Sequence, residues 1–90
     1  MAEPSPTPPL TLVTSPIDLG STIRQARGAI GMGLRDAAAH CRVGVRFLRE
    51  LEGGKPTARL DKVLQVMFAF NLIAIVVPLD AAMEALGPKR

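Results

Sequence analysis

Ninety residues with a formal charge of +3 hold one folded domain at most, and a single cysteine excludes an intramolecular disulfide. With no Trp, no Tyr and three Phe, the chain lacks the aromatic platforms on which a single-strand nucleic-acid binder stacks bases. The longest apolar run, "LIAIVVPL", is far too short to span a membrane and contains a proline, and no Cys/His cluster suggests a metal or cofactor.

Residues 1–16, "MAEPSPTPPLTLVTSP", hold five of the eight prolines, a density that leaves no room for helix or strand. They are expected to form a disordered arm. The arm lacks the basic start and long apolar core of a signal peptide and is too proline-rich for a transit peptide, so a cytoplasmic protein is expected. The 74 residues that remain are near the lower limit for a single hydrophobic core, which makes a homodimer the reasonable expectation.

The folded part is expected to run over residues 17–71. Asp18 is a plausible cap for a first helix whose apolar face is Leu19, Ile23, Ala26 and Ile30, ended by Gly31 and Gly33. A short second helix, "LRDAAAHC", has the stripe Leu34, Ala37, Ala38 and Cys41, and its small residues invite a close neighbour. Cys41 on that stripe reads as a small core residue of a reducing compartment. After "RVG" a third helix runs from Val45 to Glu52. Two short helices joined by a tight glycine-containing turn make a helix-turn-helix. Gly53 and Gly54 stop the third helix; Thr57 is a good cap for a fourth with Leu60, Val63, Leu64, Met67 and Phe68 on its buried stripe. Asn71, tolerant of left-handed backbone, closes it.

Residues 72–78 read differently. Leu72 to Val77 are six apolar residues, mostly β-branched, closed by Pro78, the pattern of a strand apolar on both faces. No other segment of the chain resembles a strand. Ile73, Ala74, Ile75, Val76 and Val77 are therefore expected to pair with the same strand of a second copy. The alternative is that the fourth helix continues through Val77. The tail, residues 79–90, has room for a last helix of about two turns.

Charge is segregated. Between Ser21 and Arg59 there are eight basic residues against three acidic ones, a local +5, while the remainder of the chain sums to −2. One nucleic-acid-facing surface accounts for this, as do solvated helix faces. No catalytic constellation is present: His40 is the only histidine and has no triad partner at sensible spacing, and "RGAIGMGLRD" lacks the Gly-Lys-Ser/Thr ending of a phosphate loop. The chain is not expected to be an enzyme.

From Leu19 to Leu72 the sequence resembles the Cro/repressor-type, or Xre, helix-turn-helix domains. The resemblance rests on "IRQAR", the glycine before the second helix, and above all "FLRELEGGKPTARLDKVLQV". With the apolar run that follows, it is most similar to the HipB-type antitoxins, whose dimers pair their C-terminal strands. The resemblance implies a mainly α fold of four to five helices with a short C-terminal β-strand pairing across a dimer. It implies an autoregulating repressor of double-stranded DNA with an inverted-repeat operator, acting beside a HipA-like kinase toxin. The third helix would enter the major groove, with Gly44, Val45, Arg46 and Arg49 at the reading positions. Arginine can take guanine O6 and N7 bidentately, so Arg46 and Arg49 are the expected readers; Glu50 accepts from a cytosine amine or orients an arginine. Arg35, Lys55, Thr57 and Arg59 are the expected phosphate contacts, and Arg27 with Glu52 the expected structural ion pair. The chain departs from the family pattern at Gly33 and Leu34, where Ser/Thr and Gln are usual, at Ala37 and at Gly53, which bears on where the second helix sits. Two rival readings share the fold: a stand-alone phage-type or restriction-control regulator, and a protein-binding adaptor that has lost DNA.

Overall fold

Pro16 sets the first helical turn, and the residues before it are arranged to receive it. A computed structural model of the chain describes residues 11–86; residues 1–10 of the expected arm and 87–90 of the expected tail lie outside that range. Helix α1 spans Pro16–Ala29 with Ser15 as its cap, the Ser15 hydroxyl accepting from the Asp18 backbone N–H at 3.1 Å. Asp18 is in the first turn, not at the cap. Its carboxylate accepts from the Thr14 N–H at 3.0 Å and the Thr14 hydroxyl at 2.9 Å, and these two bonds hold its pKa below the usual carboxylate value. The helix therefore starts earlier than the Asp18 cap implied, because proline at the first helical position gives up only an N–H that has no helical partner.

Helices α2 (Leu34–Cys41) and α3 (Val45–Glu52) have the spans expected of them. Gly33 and Gly44, at their N-terminal caps, offer no side-chain hydrogen bond, and both are extended. The left-handed residue of the turn is Arg42, at φ 62°. Its N–H donates to the Ala39 carbonyl at 3.1 Å, and Val43 donates to Ala38 at 3.0 Å. A non-glycine residue in that region costs about 1–3 kcal/mol and persists only where its surroundings hold it. The hold comes from Gln65 on the fourth helix, whose Nε2 donates to the carbonyls of Cys41 at 2.8 Å and Arg42 at 3.2 Å.

Helix α1 packs on α3, and α2 packs on α3 and on α4 (Leu60–Ala69). Ile23, Leu48 and Val66 are fully buried at the centre, among Ala37, Ala38, Cys41, Leu51, Val63, Met67 and Phe70. Burying a Leu or Ile of this kind contributes roughly 1.5–3 kcal/mol. Leu48 is thus the deep anchor of α3; Phe47 is only partly buried, with the Lys62 ammonium 5.7 Å from its ring centre. The α1–α3 approach requires Gly20. A Cβ there would collide with the Leu51 carbonyl oxygen and lie 2.7 Å from that of Glu52.

Helix α4 departs from expectation in start and in rotation. It begins at Leu60 with Arg59 at the cap, so Thr57 lies exposed in the preceding turn and caps nothing. Its inward residues are Val63, Val66, Met67 and the following Phe70, while Leu60, Leu64 and Phe68 of the expected stripe are exposed, Phe68 by 78%. Phe70 follows the helix and Asn71 is left-handed at φ 62°, so the helix does not continue through Val77.

Residues 72–78 form neither helix nor ladder, and among the described residues there is no strand. The described fold is all-α, without the expected C-terminal strand. The physical reason is that a strand needs a ladder partner, and the partner expected for this segment is a second copy, not another part of the same chain. Ile73, Ala74, Ile75, Val76 and Val77 are all exposed, Val76 by 96%. Helix α5 (Leu79–Leu86) follows Pro78 and occupies the expected two turns, with Leu79 and Met83 exposed. No helix among the described residues is long and apolar enough to cross a membrane.

Candidate nucleic-acid interface

Helix α3 is sharply two-sided. Leu48 and Leu51 point into the core, and Arg46, Arg49 and Glu50 occupy the opposite surface. The Arg46 side chain is 86% exposed, and Arg49 is exposed. Gly44 is exposed at the cap, where it leaves the first turn of α3 unobstructed, whereas Val45 is partly buried against the core and presents little surface.

Glu50 links two of the expected contacts. One carboxylate oxygen accepts from Arg46 Nε at 3.2 Å and the other from Lys55 Nζ at 3.0 Å. The Lys55 bond, and after it the Arg46 bond, pull the Glu50 carboxyl below its ordinary pKa. Arg46, Glu50 and Lys55 are therefore joined in one chain of contacts from α3 to the loop behind it. Arg59 stands apart, its guanidinium on the Asp61 carboxylate at 2.6 and 3.1 Å, which likewise lowers the Asp61 pKa. Arg35 is exposed in the first turn of α2, and Thr57 is exposed in the turn before α4. Among the described residues neither Arg35 nor Arg49 has an ion-pair partner. Two cations of the surface are thus paired to Glu50, one to Asp61, and two are open to solvent.

Arg27 and Glu52 meet behind this surface. Arg27 Nε and Nη2 donate to the two Glu52 oxygens at 2.6 and 2.8 Å, a bidentate pair, and Arg27 Nη1 donates to the Met32 carbonyl at 3.0 Å. The Glu52 side chain is 7% exposed and that of Arg27 19%. The bond to Glu52 raises the Arg27 pKa further. The pair ties the end of α1 to the end of α3 and lies mostly out of solvent. Burial, and after it the Glu52 charge, push the Cys41 thiol up, and its side chain is buried in the core.

Two supporting contacts and one backbone conformation had no signal in the sequence. Gln65 fixes the α2–α3 turn from a position that periodicity marks only as polar. Arg42 is exposed at that turn, on the same basic stretch, yet nothing in "CRVG" marks it as left-handed. His40 Nε2 lies 3.0 Å from the Ala69 carbonyl oxygen, with its ring tilted against Phe70, joining the ends of α2 and α4.

No family model matches the chain. Over 55 residues, 61% of this chain and 72% of the other, the sequence is 40% identical to the uncharacterized HTH-type transcriptional regulator y4mF of Sinorhizobium fredii.

Proposed function

Because the chain belongs to the HTH-type transcriptional regulators, we propose that it is a dimeric, sequence-specific repressor that reads double-stranded DNA with α3. The observation that carries the reading is the two-sidedness of α3. Its apolar face is buried through Leu48 and Leu51, and its other face presents Arg46 and Arg49 to solvent beside Lys55. An exposed arginine pair on a helix held rigidly by core packing suits guanine edges in the major groove, while Arg35, Lys55, Thr57 and Arg59 flank it for phosphates. The protein acts by binding and performs no catalytic step, in the cytoplasm where its DNA lies.

The finer reading is an Xre-type domain of HipB kind, the antitoxin of a HipA-like toxin, repressing its own operon. The exposed apolar run Ile73–Val77 supports it, because an unpartnered β-branched segment can pair about a two-fold axis with its own copy. Leu64 and Phe68, with Ile73 and Ala74, line a shallow apolar hollow beside that run. A toxin would dock away from α3. The gene's neighbourhood separates the antitoxin from a stand-alone regulator of the same fold: an adjacent kinase-like gene would favour the first, and its absence the second.

Nuclease footprinting of the DNA upstream of the gene tests the reading. The wild type is expected to protect two half-sites about one helical turn apart, roughly 34 Å. Arg46→Ala combined with Arg49→Ala is expected to abolish that protection while leaving helicity unchanged. Intact protection by the double variant would remove α3 from the interface.

A further inference from the structure

Glu50 sits in the middle of the basic surface, and its contacts are specific enough to assign it a task. It accepts from Arg46 through Nε alone, so among the described residues neither terminal nitrogen of that guanidinium has a hydrogen-bond partner, on a side chain 86% exposed. Those two nitrogens form the fork that matches guanine O6 and N7. With its other oxygen Glu50 takes Lys55, one of the groups placed to meet phosphate. A phosphate contact adds attraction that is the same for every sequence. One carboxylate thus aims a base reader and restrains a sequence-independent contact.

We infer that Glu50 is a positioning residue that sets sequence discrimination, holding Arg46 in its reading orientation and limiting the indiscriminate attraction of Lys55 for the DNA backbone. The inference rests on the DNA-reading function proposed above. It differs from a direct base contact in that the two oxygens of Glu50 are turned to Arg46 and Lys55. A carboxylate without this role would, by simple repulsion, weaken binding to all duplexes alike.

The test is a fluorescence-anisotropy titration of the full chain against two duplexes, the tightest recovered from a random library and a scrambled version of it, over a range of salt. Glu50→Ala is expected to bind the scrambled duplex about fivefold tighter at low salt, the effect of freeing one unit charge, that of Lys55, near the surface. Its discrimination between the duplexes falls by at least the same factor, and the slope of log affinity against log salt steepens by about 1 to 2. In an Arg46→Ala, Lys55→Ala background the same Glu50→Ala change is expected to leave the ratio unmoved, because Glu50 acts only through those two residues. A wild type that discriminates while Glu50→Ala keeps its full discrimination overturns the inference and leaves the DNA-reading function standing. So does a loss that persists unchanged in the Arg46→Ala, Lys55→Ala background, which would make Glu50 a base contact in its own right. A wild type that binds both duplexes equally removes the function itself.

Discussion

At the scale of single residues, the helix that carries the candidate interface is fastened to the rest of the fold by Arg27 and Glu52. Their bidentate contact spans 25 positions in sequence and lies mostly out of solvent. Two charges brought out of water are tolerable there because each satisfies the other, and the Met32 carbonyl takes a further guanidinium N–H. Removing one partner strands the other. Arg27→Ala is expected to cost about 3 kcal/mol of unfolding free energy, read from urea denaturation, since it leaves the Glu52 carboxylate buried without a counter-charge. Arg49→Ala, which removes an exposed charge with no ion-pair partner among the described residues, is expected to change stability by less than about 0.5 kcal/mol. A small loss in Arg27→Ala would mean that water reaches Glu52 and that the pair does not fasten α1 to α3.

At the scale of elements, the helix-turn-helix was legible where one periodicity stood alone. Helices α2 and α3 each carry a single apolar stripe bounded by glycine or by a short polar break, so their spans follow from the sequence. Helix α4 was not legible in the same way. Leu60, Val63, Leu64, Val66, Met67 and Phe68 place apolar residues nearly all round it, and two stripes at helical spacing compete for the core. Tertiary packing chose Val63, Val66 and Phe70. The capping of α1 was missed for a local reason, because Ser15 and Asp18 are both good caps and the choice turns on Pro16 fitting the first turn. In the site itself, Arg46 and Arg49 could be found by residue type and helix face, but the link from Glu50 to Lys55 depends on how the Gly53-Gly54 turn folds back. The rotation of α4 has a direct check. Val66→Ala is expected to cost about 2 kcal/mol, whereas Leu64→Ala, on the exposed side, is expected to leave the stability of the isolated subunit nearly unchanged. Thermal melts at a concentration low enough for monomers compare the two, and a larger loss for Leu64→Ala would reverse the assigned face.

At the scale of the whole molecule, the described chain buries one side of its sequence and leaves another uncovered. Phe68, Ile73, Ile75 and Val76 are each more than 70% exposed, on and beyond the end of α4. A monomeric protein seldom carries so much contiguous apolar surface without a partner for it. In the proposed repressor this surface belongs to the second copy, and it also sets the spacing of the two α3 helices on the DNA. Ile75→Asp introduces a charge where the copies would meet. It is expected to convert a dimer to a monomer in sedimentation experiments, with the helical content of each subunit preserved. Because each α3 would then meet its half-site alone, the same variant is expected to lose most of its affinity for the two-site duplex. A dimer that survives Ile75→Asp would place the contact elsewhere.

Whether α3 reads sequence is decided by a gel-shift titration with DNA from upstream of the gene against a scrambled duplex, at two salt concentrations. Binding to the native duplex is expected to be about 10³-fold or more tighter than to the scramble, a preference that persists as salt rises. Weak and equal binding to both duplexes, collapsing together at the higher salt, would contradict it and reduce the basic face of α3 to a general attraction for polyanions.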